Sequence, residues 1–285
     1  MVSVPPHISF RELKSRYQLI LFDAYGVLLN ADGVLPGAAH VLQQLNHENF
    51  PYFIVTNGSV KPIQKSVDYL KHLGLEVPLQ NYISSGEVTR QWLTAPEYQS
   101  ARVCLLGPSS CEFMLAPSQQ KTAAHKDFDI LVIGNQDGYE ILQTINQAIS
   151  SLYRMIDAGH PPLLVLPNPD LIYPAGNKSY GITSGMIANM LEAALKLRYQ
   201  QDAPKFKLFG KPESCMFNLA LERAELTGSP EKAVMIGDQI DTDIQGGKAS
   251  GCDTALIGTG IADYANPQVW ANSNIAATYL LRNLM

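Results

Sequence analysis

The sequence predicts an α/β protein: a doubly wound, Rossmann-like parallel sheet with a second, smaller α/β domain inserted into it. Three observations carry this. Short β-branched apolar runs alternate with stretches of helical periodicity, the pattern of βαβ units. The runs fall into an early group, a middle group and a late group. The chain has 285 residues, 46% hydrophobic and 16% charged, enough for one large or two smaller cores.

Residues 18–23 read as a first buried strand, 37–48 as a helix, 51–56 as a second strand, and 61–73 as a helix closed by Gly74, a good residue just past a helix end. This is half of a doubly wound sheet. In the middle, strands are expected at 102–106, 129–133 and 163–166, with a long helix at 139–158 between the last two. Ile141, Ile145, Ile149, Leu152 and Ile156 recur there at i+3 and i+4 intervals, so one face is apolar. Strands at 205–209, 232–236 and 253–257, each followed by a helix, complete the pattern. The expected division is a core of 1–81 with 200–285, and an inserted domain of 82–199.

The net charge of −5 gives no general attraction for phosphate backbones or anionic lipid, so neither nucleic acid nor membrane is an expected partner. The apolar stretches are strand-sized, and Val4-Pro5-Pro6-His7 is not the basic-then-apolar start of an export signal. A cytoplasmic location is expected. Cys104, Cys111, Cys215 and Cys252 form no C-x-x-C pair, which fits reduced thiols. His7, His47, His72, His125 and His160 stand alone, and Trp92 and Trp270 fit helix packing.

Chemistry concentrates at strand ends, where open parallel sheets build their sites. Asp23 ends the first strand, placed to act as a nucleophile. Thr56-Asn57-Gly58-Ser59 ends the second and offers a hydroxyl and free N–H groups to phosphate oxygens, although a plain turn or helix cap has the same composition. Gly210-Lys211-Pro212 brings a cation to a helix entry; alone it also fits a solvated loop lysine. Asp238, Asp241 and Asp243 follow a buried strand and repel one another unless a cation such as magnesium sits among them. A helix start would also favour one or two of them.

The ordered set Asp23, Thr56-Asn57, Lys211-Pro212 and Gly237-Asp238-x-x-Asp241-Thr242-Asp243 resembles the four motifs of the haloacid dehalogenase superfamily over nearly the whole chain. The insertion lies between the second and third motifs, as does the C2-type cap of the class IIA, N-acetylglucosamine-phosphate phosphatase-like branch, and Asn168-Pro169-Asp170 and the 181–185 segment are similar to that cap. The resemblance implies a phosphoaspartyl mechanism on a small phosphorylated metabolite, with Mg2+. Asp23 would be nucleophile and metal ligand, the Tyr25 carbonyl and Asp238 further ligands, and Asp243 a holder of metal-bound water. Thr56, Asn57, Gly58 and Lys211 would bind the phosphoryl group. Caps of this branch often pair, so a homodimer is expected.

Tyr25 departs from the pattern, because the phosphatases carry an acid/base Asp two residues after the nucleophile. With a reference pKa of about 10, tyrosine is a poor general base near neutrality. Asp23-Ala24-Tyr25-Gly26 also resembles the Asp-x-Tyr loop of the metal-free 2-haloacid dehalogenases, whose halide leaves without a proton. Those enzymes place their cap between the first two motifs and lack the Gly-Asp metal station. A non-catalytic phosphometabolite-binding protein is the other alternative. Asn168, Asp170 and the 173–178 loop are the expected specificity elements, unless 167–176 is simply a Pro-rich turn. Gly181-Ile182-Thr183-Ser184-Gly185 is not a serine-hydrolase elbow, since Thr183 holds the nucleophile position.

Overall fold

The computed structural model describes residues 4–176, 179–262 and 276–285. In chain order its elements are β1 (His7–Ile8), α1 (Phe10–Arg16), β2 (Leu19–Phe22), β3 (Leu29–Asn30), β4 (Gly33–Val34), α2 (Ala38–His47), β5 (Tyr52–Thr56), α3 (Ile63–His72), β6 (Tyr82–Ser84) and α4 (Ser85–Leu93). The middle comprises β7 (Arg102–Leu106), β8 (Gln120–Lys121), β9 (Ile130–Ile133), α5 (Ile141–Asp157), β10 (Leu163–Leu166), β11 (Ile172–Gly176), β12 (Ser179–Ile182) and α6 (Ser184–Tyr199). Then follow β13 (Lys207–Leu208), α7 (Cys215–Arg223), β14 (Ala233–Gly237), α8 (Gln245–Ala249), β15 (Asp253–Ile257) and β16 (Tyr279–Leu281).

Among the described residues, seven parallel strands form the core sheet in the order β1-β16-β15-β14-β2-β5-β6. Central β2 is buried on both sides, which is why it reads as an unbroken apolar run. Its Ile20 and Phe22 pack with Leu42 and Ile54 on one face, and Leu19 and Leu21 with Phe53, Met235 and Phe217 on the other. The chain runs from β2 to its neighbour β5 on one side and later returns to β14 on the other, so the crevice of this doubly wound sheet opens at the carboxyl ends of β2 and β14.

The second sheet, β13-β10-β9-β7-β8, is also parallel. One face packs Leu131 and Ile133 against Leu152, Ile187 and Leu191 of α5 and α6. The other covers Val103, Val132 and Val165 with Leu93, Met114 and Trp92. Trp92 lies against Tyr98 and Phe209, as a packing residue should; Trp270 lies outside the described residues.

Sheet membership corrects both expected crossing points. Tyr82–Ser84 pairs with β5 in the core sheet, so the chain is still in the core past residue 82. Lys207–Leu208 pairs with β10 in the cap sheet, so the 205–209 strand belongs to the insertion and the return comes after residue 208. The 167–176 segment is more than a turn: Ile172–Gly176 pairs antiparallel with β12. Of the expected 173–178 loop, residues 177 and 178 lie outside the described residues; after 253–257, where a helix was expected, residues 258–262 are turns and bends and 263–275 lie outside the described residues.

Candidate active site

The carboxyl ends of β2, β5 and β14 bring the predicted residues together. Asp23 directly follows β2, and its N–H donates to the Ile236 carbonyl at 2.9 Å, pinning it beside β14. Lys211, only 2% exposed, donates from Nζ to Asp23 Oδ1 at 2.6 Å and lies 2.7 Å from Asp243 Oδ1. It is not a solvated loop lysine. A lysine so deeply buried is tolerated only when paired, and here two carboxylates hold it.

Asn57 fixes the lysine's backbone. Its Oδ1 accepts the Lys211 N–H at 2.7 Å, while its Nδ2 donates to the Lys211 carbonyl at 3.2 Å and to Asp170 Oδ1 of the cap at 2.8 Å. Thr56 is buried beside it, and its hydroxyl accepts the Gly58 N–H at 3.3 Å. The hydroxyl of Ser59 donates to the Gly134 carbonyl at 2.8 Å, a second tie between core and cap.

Asp243 Oδ2 accepts the N–H groups of Asp238 and Gln239 at 3.0 and 3.1 Å. Asp238 is fully buried; its Oδ2 accepts the Ile261 N–H at 2.8 Å, and its Oδ1 has no hydrogen-bond partner. Glycine is required around these groups. Gly26 sits at φ +92°, and a Cβ there would strike the Asp238 carboxylate, as would one at Gly260; at Gly237 it would strike Asp243. The positive φ expected after Asp23 is thus present.

Asp23, Asp238 and Asp243 offer carboxylate oxygens within 4.8 Å of one another. Asp241 is exposed and stands outside this group; the third carboxylate comes from β2. Burial raises the Asp23 pKa to about 7, against the pull of Lys211 and with a push from Asp243. Burial, then Asp243 and Asp23, hold Asp238 well above the usual carboxylate range. Burial disfavours the Lys211 ammonium, but Asp23, Asp243 and Asp170 outweigh it and raise its pKa. One lysine therefore leaves the cluster short of positive charge. Buried carboxylates with an unpartnered oxygen are a donor set for a hard cation of the magnesium type, so the residues fit the implied metal.

A cavity of about 500 Å³ lies over this cluster, lined by Asp23, Tyr25, Thr56, Asn57 and Gly58 from the core and by Asn168, Asp170, Tyr173 and Thr183 from the cap. The residues proposed for the phosphoryl group and the leaving-group end, with Asn168, Asp170, Tyr173 and Pro174 of the specificity elements, are thus at one cavity or in the cluster beneath it. Tyr25 is half-buried; burial, then Tyr173 and Tyr69, raise its phenol pKa. Sequence reasoning missed Tyr69 and the bond from the Thr183 hydroxyl to the Asp170 carbonyl. Only the closeness of 168–170 to 183 in sequence hinted at the last.

Comparison with known proteins bears on the family and the fold. Residues 20–121 match the family model of haloacid dehalogenase-like hydrolases, and residues 208–284 match a HAD-hydrolase-like model. An acid sugar phosphatase of Staphylococcus epidermidis is 24% identical over 270 residues, covering 94% of this chain and 95% of that one. The crystal structure of a protein from Cytophaga hutchinsonii, described as a possible sugar phosphatase, superposes with a TM-score of 0.86 at 27% identity and covers 98% of both chains. The 4-nitrophenylphosphatase of Thermotoga maritima shares the fold, with a TM-score of 0.75 at 22% identity and coverage of 95% and 96%. Since the two matched segments contain between them Asp23, Thr56, Lys211, Asp238 and Asp243, the chain belongs to the haloacid dehalogenase superfamily of hydrolases.

Proposed function

We propose that the protein is a magnesium-dependent phosphohydrolase that acts on a small phosphorylated metabolite through an aspartyl-phosphate intermediate. The observation that carries this reading is the buried Asp23–Lys211–Asp243 array beside the unpartnered Asp238 oxygen. An anion cannot approach a carboxylate nucleophile unless positive charge stands between them, and fixed cations there stabilise the transition state by several kcal/mol. Lys211 supplies such a charge against Asp23. Thr56 and the N–H groups of Asn57 and Gly58 hold the phosphoryl oxygens while Asp23 attacks phosphorus. Asp23, Asp238 and the Tyr25 carbonyl, with Asp243 beside them, would hold magnesium, which would supply further positive charge to those oxygens. Asn168 and Asp170 face the leaving group from the cap and select it; sugar phosphates are the first class to screen, given the names of the relatives.

The test is phosphate release from a panel of phosphate esters, with and without magnesium. Asp23→Asn should remove release entirely, because an amide is not a competent nucleophile here. Asp238→Ala should remove magnesium binding measured by calorimetry, since one of two direct carboxylates is lost. Release retained by the first variant, or unchanged magnesium affinity in the second, overturns the assignment. Tyr25 favours a second reading, a phosphometabolite-binding protein without turnover; ligand binding with no phosphate released would establish it. Halide release without magnesium would support the dehalogenase alternative, against which the buried Asp238 weighs.

A further inference from the structure

Tyr25 leaves one proton of the reaction without a carrier. An alkoxide leaving phosphorus needs a proton at its oxygen, and water attacking the intermediate must lose one. A phenol, with a reference pKa of about 10, is poorly matched to both tasks, because acid–base catalysis is most effective when the pKa lies near the working pH. Apart from Asp23, Asp170 is the carboxyl among the described residues that line the cavity.

We propose that Asp170, carried by the cap, is the general acid and base of the reaction in place of residue 25. This rests on the phosphohydrolase reading. The backbone of Asp170 is held at three points: its N–H donates to Asn168 Oδ1 at 2.9 Å, and its carbonyl accepts from the Gly185 N–H at 3.1 Å and from the Thr183 hydroxyl. Gly185 is needed for this, since a Cβ there would meet the carbonyls of Pro169 and Asp170. The carboxyl is anchored to the core through Asn57, the residue next to the phosphoryl-binding Thr56. That bond occupies Oδ1 and leaves Oδ2 to carry the proton.

The charges facing Asp170 suit the role. Burial raises its pKa to about 6, against Lys211 and the Asn57 hydrogen bond, with Asp243 adding to the rise; Asp23 is the remaining anion across the cavity. A bound phosphate, being another anion, pushes in the same direction. In the first step an Asp23 oxygen bonds to phosphorus, the bond from phosphorus to the leaving oxygen breaks, and the Asp170 proton passes to that oxygen. In the second step water bonds to phosphorus and gives its proton to Asp170, and the bond from phosphorus to Asp23 breaks. Inorganic phosphate leaves, and both carboxyl groups are restored.

Asp170→Asn keeps an Oδ1 acceptor for Asn57, so the cap stays seated while the exchangeable proton is lost. Its kcat/KM for an alkyl phosphate such as glucose 6-phosphate should fall by roughly 10²–10⁴, the usual contribution of a positioned acid. For p-nitrophenyl phosphate, whose leaving group departs unaided, kcat/KM should stay within about tenfold of wild type. With that substrate kcat should fall behind a burst of nitrophenolate stoichiometric with enzyme, as the phosphoaspartyl intermediate waits for its base. The wild-type decline in alkyl-phosphate turnover as pH rises past the Asp170 range should be absent from the variant. Equal loss of kcat/KM for both esters would make Asp170 a positioning residue acting through Asn57, and no loss for either would remove it from the reaction. Those two results overturn this proposal alone; a wild type that releases phosphate from no ester overturns the phosphohydrolase reading and the proposal with it.

Discussion

At position 25 the chain is constrained in its backbone, and its side chain borders the cavity. Gly26 is locked by its φ of +92° and by the Asp238 carboxylate against it, whereas Tyr25 packs on the core with one side and lines the cavity. Replacement by a carboxyl is therefore sterically admissible and gives a direct test of the division of labour. Tyr25→Asp alone should change alkyl-phosphate turnover little, because Asp170 already serves. In the Asp170→Asn background it should recover part of the roughly 10²–10⁴ that was lost, measured as kcat/KM with magnesium binding confirmed. No recovery would show that a carboxyl at 25 does not reach the leaving oxygen. The residues gathered at the cluster and cavity were legible in the sequence because Asp23, Thr56 and Asp238 are each a charged or hydroxyl residue at or just after the end of an apolar run. Asp241 was not separable from Asp238 and Asp243: all three lie within one short stretch, and only the irregular turn over Ile240–Ile244 turns Asp241 outward. The bond from Asn57 to Asp170 was hidden too, since it joins residues far apart in sequence.

Among the elements, α5 shows how far periodicity reaches. Its apolar stripe was legible, and Leu152 and Ile145 are buried as expected, with Ala148, Ser151 and Met155 completing the face. Leu152→Ala should destabilise the cap by about 2–5 kcal/mol, the usual cost of a core leucine deletion, read as a lower midpoint in urea. A change under about 1 kcal/mol would mean that the site collapses around the loss. Other elements had no such signal. The two-residue strand β1 is too short for a pattern, and although a strand was expected at 205–209, the membership of β13 in the cap sheet depends on its pairing with β10. Pro174 argued against a strand at 172–176, because proline weakens a ladder; the hairpin accommodates it next to a register irregularity between Pro174 and Gly176.

For the whole molecule, the buried carboxylates tie stability to pH and metal together. The Asp23 and Asp238 pKa values lie above those of an unfolded chain, so between an unfolded value of about 4 and the raised values the native state binds more protons. Stability of the metal-free protein should accordingly fall as pH rises through that window. Magnesium should reverse the trend, since it binds the ionised groups, and should add about 2.7 kcal/mol at a concentration a hundredfold above Kd. Urea unfolding at about pH 5 and about pH 7.5, with EDTA or magnesium, measures both effects; a metal-free protein equally stable at the two would contradict the burial of these charges. The seam at Asn57 and Asp170 has a consequence for descent. If the insertion supplied recognition alone, caps could be traded between related chains and change only what is hydrolysed. Here the cap carries the proton and the core carries tyrosine, so an exchanged cap without an equivalent of Asp170 leaves a hydrolase unable to finish its reaction: the two halves must be inherited as a pair.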